Sequence, residues 1–298
     1  MNRRQFTRQA GLASALIASA PLTGFSYMAA PQSGSIGKGI MWGSIGYGTS
    51  IMEKFQAAKA AGFEGVEPNS HLDRKEVLKA AEATGLKIPS VCGSQHWKAP
   101  LSHADPKVRE QGLEALKVTI EDAKAYGADT ILLVPGRVDA TVSYDDCWQR
   151  TTEEIMKAVP LAESYNIRIA IENVWNNFLL SPLEAAYYID QFNSQAVGFY
   201  FDCGNVLVYG WPEQWIRILG KRIAKVHIKE YSKKIADTQG KSAGFKVKLL
   251  DGDVNWQEVM KALVEIGYNS WATVEMPGGN TPEGLKDLCD RLGKILSS

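Results

Sequence analysis

Cysteine is scarce. Cys92, Cys147, Cys203 and Cys289 are the four in 298 residues, and they stand far apart with no Cys-x-x-Cys pair. That spacing excludes a zinc knuckle, a thioredoxin-like motif and a disulfide framework. Each of the four reads as a small buried hydrophobe. Histidine is equally scarce, with His71, His96, His103 and His227. Net charge is missing altogether, because 33 Lys and Arg face 33 Asp and Glu. A polyanion binder needs a basic face, so nucleic acid is excluded as a partner. A hydrophobic content of 45% excludes a disordered chain. No apolar run approaches the ~20 residues that span a bilayer, so the mature protein carries no integral membrane segment. No glycine-rich phosphate turn follows the first strand candidate, which ends Met41-Trp42-Gly43-Ser44, and this argues against a nucleotide cofactor.

The balanced charge hides one asymmetry. Residues 1–37 hold Arg3, Arg4 and Arg8 and no acid, which leaves 30 basic and 33 acidic residues in the rest. The Arg3-Arg4-Gln-Phe6 start precedes a short stretch of small apolar residues at 11–20. A basic start before such a stretch is the pattern of an export signal, here of the twin-arginine kind. Residues 1–37 are therefore expected to be signal and linker, with 38–298 a single domain in the bacterial periplasm or beyond. Export in the folded state suits a protein that acquires a metal first.

From residue 38 the sequence alternates short apolar runs with longer helical stretches. Strands are predicted at 39–42, 65–67, 87–92, 130–134, 168–172, 196–202, 223–228 and 271–275. Helices are predicted at 50–61, 73–84, 105–126, 144–165, 181–191, 212–219, 255–266 and 281–296. The runs are short and rich in Ile, Val and Leu, as strands buried on both faces should be. Ser181-Pro182 and Thr281-Pro282 read as a cap followed by a proline at the first helical position. Gly62, Gly85, Gly127 and Gly267 close helices. Eight α/β units in strict alternation predict a closed (β/α)₈ TIM barrel. The longest connection, 229–252, reads as a lid or substrate loop, with a short hairpin strand expected at 245–250.

In such a barrel the C-terminal strand ends share one mouth. Strand five ends in Glu172-Asn173, strand six in Asp202, strand seven in Val226-His227-Ile228, and strand eight in Glu275. A carboxylate at a strand end is commonly a salt-bridge partner, and a lone histidine after an apolar run is commonly a core residue. The set of four is informative because it is phased, and a slip of one residue in any strand destroys it. Three converging carboxylates repel one another, and a divalent cation removes that cost. Oxygen-rich ligands with one imidazole suit Mn²⁺ first, with Mg²⁺, Co²⁺ and Zn²⁺ also compatible. Trp42, Glu67, His96, Trp97, Asn173, Asn205, Lys229 and Lys233 follow strand ends and are candidates to bind a small-molecule substrate at the same mouth.

These segments resemble the sugar isomerase/epimerase superfamily of xylose isomerase-like barrels, from about residue 38 to the C-terminus. The carriers are Gly62-Phe-Glu-Gly-Val-Glu67, Ile171-Glu172-Asn173, Asp202-Cys-Gly-Asn205, Val226-His227-Ile-Lys229-Glu230 and Gly252-Asp-Val-Asn-Trp256. The resemblance implies Glu172, Asp202, His227 and Glu275 as metal ligands and Glu172 and Glu275 as the acid/base pair. It implies proton abstraction beside a carbonyl through a metal-stabilised enediolate. The tagatose/psicose 3-epimerases carry a His where this chain has Asn205 and an Arg where it has Lys233. The Asp-x-Gly-Asn form is closer to the pentulose-phosphate 3-epimerases, whereas an exported enzyme would rarely meet sugar phosphates. That conflict points to an unphosphorylated or oxidised sugar, such as a ketose or keto-glycoside. A lyase or dehydratase on a keto-sugar or keto-glycoside would use the same four residues, and a non-catalytic periplasmic sugar-binding protein would need no carboxylate pair. A homo-oligomer is compatible with all of these readings.

Overall fold

The computed structural model describes residues 36–298. The expected export signal at 1–37 lies outside the described residues, save its last two. Eight strands form one parallel sheet: β1 (Gly37–Met41), β2 (Gly65–Glu67), β3 (Ser90–Cys92), β4 (Thr130–Leu133), β5 (Arg168–Glu172), β6 (Val197–Asp202), β7 (Ile223–Ile228) and β8 (Trp271–Val274). They follow the order β2-β1-β8-β7-β6-β5-β4-β3. A parallel bridge between Gly65 and Lys87 brings the two edges together, with Val66 N donating to Lys87 O at 2.9 Å. This is the (β/α)₈ barrel that the alternation predicts. The third strand is shorter than expected because Pro89 has no N–H to give to the ladder.

The helices are α1 (Ile51–Ala61), α2 (Arg74–Thr84), α3 (Pro106–Tyr126), α4 (Tyr144–Tyr165), α5 (Pro182–Asp190), α6 (Cys203–Val206), α7 (Pro212–Leu219), α8 (Lys233–Gln239), α9 (Trp256–Glu265) and α10 (Pro282–Leu296). Several begin one residue later than predicted, since the predicted first residue is the cap itself. Ser50, Asp73, Asp105, Ser181, Asn255 and Thr281 each accept a backbone N–H of the first turn. Gly62, Gly85, Gly127 and Gly267 all take positive φ at helix ends, a conformation that costs other residues more. No helix among the described residues is long and apolar enough to cross a membrane. All four cysteines are free and buried.

Two apolar layers result. The larger lies between strands and helices. The smaller, with Cys92, Leu132, Val134, Ala170, Tyr200 and Ala224, fills the barrel itself. One irregularity positions the site. Phe199 pairs with Ile223, but Tyr200 pairs with Lys225, so β7 carries one extra residue at Ala224. The shift places His227 opposite Asp202. With uninterrupted pairing Asp202 would face Val226, and the imidazole would turn to the helix layer.

The hairpin strand expected at 245–250 is not formed. The connection after β7 contains α8 and a 3₁₀ helix at Lys241–Lys246 instead. Its backbone is captured by Glu230, a fully buried carboxylate. Glu230 accepts from Leu250 N at 2.9 Å, Val254 N at 3.1 Å and Trp256 Nε1 at 2.7 Å. N–H groups held this way are not free for a strand ladder.

Inside the barrel, Gly39 stands against Thr273, and a Cβ at Gly39 would lie 2.7 Å from the Thr273 hydroxyl. Gly39→Val is expected to lower stability by about 1–3 kcal/mol through overpacking. Adding Thr273→Ala should recover part of the loss, read from denaturant midpoints.

Candidate active site

The four phased residues meet at the C-terminal mouth. One ligand atom each from Glu172, Asp202, His227 and Glu275 lies within 4.8 Å of all the others. His227 is the hub. Its Nδ1 stands 3.0 Å from Glu172 Oε1 and 3.0 Å from Glu275 Oε2. Its Nε2 stands 2.9 Å from Glu67 Oε1. The other oxygen of Glu67 accepts from the Tyr200 hydroxyl at 2.5 Å and from the Ser90 hydroxyl. Only Oε1 is then left for the imidazole, so Nε2–H donates to Glu67 and Nδ1 faces the carboxylates. This is the carboxylate–histidine arrangement that fixes the tautomer of a metal-binding histidine.

Charge in this site is far from its solution values. Burial, with Glu275 nearby, pushes Glu172 up to about 7 against the pull of His227. Burial also raises Asp202. Glu275 moves the other way, because Lys229 and His227 overcome the effect of its burial and hold it well below the usual carboxylate range. Burial opposes charge on His227, but Glu67, Glu172 and Glu275 lift it well above an ordinary imidazole. Lys229 is raised likewise, its burial outweighed by Asp202, Glu275 and Glu172.

The donor set fits a divalent cation. Three carboxylates and one imidazole nitrogen converge from four neighbouring strands. Asp202 Oδ2 and Glu275 Oε2 are buried without a donor in hydrogen-bonding geometry, although the Lys229 ammonium stands near both. Oxygens in that condition are the ones a cation satisfies.

The sugar-binding candidates fall into different places. Glu67 is fully buried behind His227 and not at the mouth. Asn173 and Asn205 bracket the ends of β5 and β6. Asn173 Nδ2 donates to Asp202 O at 2.9 Å and its Oδ1 accepts Asp202 N at 2.8 Å. Asn205 Nδ2 donates to Asn173 O at 2.9 Å. Lys229 turns into the site. Lys233 is exposed, with its ammonium 5.9 Å from the centre of the Trp211 ring. Trp42 packs on Phe55, and half-exposed Trp97 meets the edge of His96. His96 Nδ1 accepts Val134 N at 3.3 Å, and the field of Glu275 reaches the ring.

Sequence reasoning missed Ser90, Tyr200 and Phe245. The first two carry a signal: Tyr200 lies two residues before Asp202 and Ser90 two before Cys92, and alternation puts each pair on one strand face. Phe245 packs at a tilt on Trp175, with ring centres 4.8 Å apart, and edge-on against Tyr231 at 4.9 Å. It sits in the long loop, where no periodicity points to it.

The fold and the site together define a class: a parallel (β/α)₈ barrel with a carboxylate–imidazole cluster at its C-terminal mouth. The chain belongs to the xylose isomerase-like TIM barrel family, whose model matches residues 55–295. The L-ribulose-5-phosphate 3-epimerase UlaE of Escherichia coli O1:K1 is 28% identical over 253 residues, covering 80% of this chain and 86% of that protein. Among solved structures, a D-tagatose 3-epimerase-like protein superposes with a TM-score of 0.75 at 19% identity, covering 88% of this chain and 97% of the other. The apo form of the 3-keto-D-glucoside 4-epimerase YcjR from E. coli gives 0.74 at 16%, covering 88% and 100%. The two structures establish likeness of fold.

One prediction concerns His96. Burial lowers its pKa from 6.5 to about 4, opposed in part by Glu275. Between those values the unfolded chain binds the proton that the folded ring refuses, so stability falls as pH drops through this window. The loss should reach at most about 3 kcal/mol. Denaturant midpoints from pH 6.5 to 4 should fall less in His96→Gln than in the parent.

Proposed function

We propose that this protein is a divalent-metal-dependent ketose 3-epimerase. The observation that carries the reading is the convergence of Glu172 and Glu275, from β5 and the end of β8, on one face of His227 with Asp202 beside them. The relatives named above support it, since two are named as epimerases, of L-ribulose 5-phosphate and of a 3-keto-D-glucoside, and the third as D-tagatose 3-epimerase-like. They lend no support to the lyase reading or to the sugar-binding protein.

Epimerisation at a carbon beside a carbonyl removes a proton from one face and returns one to the other. It needs two groups in different protonation states, held on opposite sides of that carbon. Glu275, held ionised by Lys229 and His227 before the metal binds and by the cation afterwards, is the base. Glu172, pushed up to about 7 by burial, begins with a substantial protonated fraction and is the acid. In the reverse direction they exchange roles. Glu172, Asp202, His227 and Glu275 would hold the metal. When bound, the cation supplies Lewis-acid polarisation of the carbonyl and offsets the charge of the enediolate, with Mn²⁺ our first choice. Glu67 fixes the His227 ring, and Tyr200 and Ser90 fix Glu67. Asn173 and Asn205 keep the ends of β5 and β6 in register, so Glu172 and Asp202 arrive together. The Arg3-Arg4 start leads us to propose export as well; native cells holding only full-length cytoplasmic protein would exclude it.

Metal-loaded enzyme in deuterated water should place deuterium on one carbon of a ketose beside the carbonyl. Glu172→Gln and Glu275→Gln should each lower turnover by ~10²–10⁴-fold with an unchanged circular dichroism spectrum. A variant retaining most of its rate removes that residue from the mechanism.

A further inference from the structure

Lys229 is the one lysine among the described residues whose ammonium enters the cluster. Its Nζ lies 2.7 Å from Glu275 Oε2 and 3.0 Å from Asp202 Oδ2. These are the two oxygens that lack a hydrogen-bond donor in good geometry. The position is built into the chain. Lys229 follows His227 by two residues and passes over Gly204, where a Cβ would lie 2.9 Å from its Cγ. Any side chain at 204 would push the lysine off this path. On its other flank the Phe245 ring centre is 5.5 Å from Nζ, within the range of a cation–π contact. Glu230, its neighbour, points away into the loop and makes no claim on the ammonium.

A divalent ion ligated by Asp202 and Glu275 needs the same oxygens. An ammonium and a divalent cation repel each other, and each gains from the same two negative charges. We propose that Lys229 is an internal substitute for the metal: its ammonium neutralises Asp202 and Glu275 in the metal-free protein and is displaced when the ion binds. Lys229 thereby sets the affinity of the site. It also lets the barrel fold before any metal arrives, since the carboxylates are not left facing one another without a cation. The Phe245 face gives the displaced ammonium a second resting place on the side of the mouth. The proposal deepens the metal-site reading above and rests on it.

The test is calorimetric titration of chelator-stripped protein with MnCl₂, without substrate, for the parent, Lys229→Met and Lys229→Arg. Lys229→Met should bind Mn²⁺ more tightly, by on the order of tenfold or more, because the rival charge is gone. Lys229→Arg keeps a cation at the site and should stay close to the parent. Stripped Lys229→Met should melt below the stripped parent, and saturating Mn²⁺ should close that gap. If stripped Lys229→Met does not fold, protein purified with Mn²⁺ is mixed with chelator, and the methionine variant should release the ion more slowly than the parent. Equal or weaker Mn²⁺ binding by Lys229→Met, or equal release rates, overturns the role of Lys229 and leaves the metal site standing. Binding by Lys229→Met alone supports the proposal. No Mn²⁺ binding by any of the three proteins overturns the metal-site reading itself.

Discussion

Negative charge confined in a dry barrel mouth is the constraint on which the rest of this structure depends. Glu67, Glu172, Asp202 and Glu275 gather around one imidazole, and three of them are almost fully buried. Carboxylates in that setting must be protonated, paired or bound to a cation. All three outcomes are present in one site. Glu172 is shifted toward its neutral form, Glu67 is paired with His227, and Asp202 and Glu275 share Lys229. The spread of proton affinities among similar side chains is therefore a product of position. It sets Glu172 and Glu275 apart although both meet the same imidazole nitrogen.

The scaffolding around the cluster is as specific as the cluster. Behind His227, Glu67 spends one oxygen on the ring and the other on two hydroxyls. Beside Asp202, the amides of Asn173 and Asn205 close a bracket across two strands through backbone groups alone. Below, Glu230 ties down the long connection that carries Phe245. Buried polar groups stand in a dense, mutually satisfied network here because an unsatisfied member would be costly.

Much of this was legible in the sequence. Eight apolar runs separated by capped helices could hardly form anything but a closed parallel barrel. Glu172, Asp202, His227 and Glu275 were readable because strand ends share a mouth. What was hidden depended on direction. Glu67, Asn173 and Asn205 end strands as sugar-binding groups do, and nothing in a strand end tells whether a side chain faces the cavity or its neighbours. Lys229 and Glu230 are adjacent and oppositely charged, and the strand sends one into the site and the other into the loop. The expected hairpin at 245–250 looked like a strand by composition, but its start is wound into the 3₁₀ helix and its last N–H, at Leu250, is held by a buried carboxylate twenty residues upstream.

The extra residue in β7 has a bearing on how the sequence can change. A strand buried on both faces accepts many exchanges among apolar residues, since almost any of them fills the same space. It has no such latitude in register. Removing Ala224 would only make the pairing regular, with Asp202 still opposite His227; keeping every residue and straightening the bulge would put Val226 in the mouth and the imidazole among the helices. The four-residue cluster can thus be taken apart without unfolding the barrel, by a one-residue slip that changes no side chain in it.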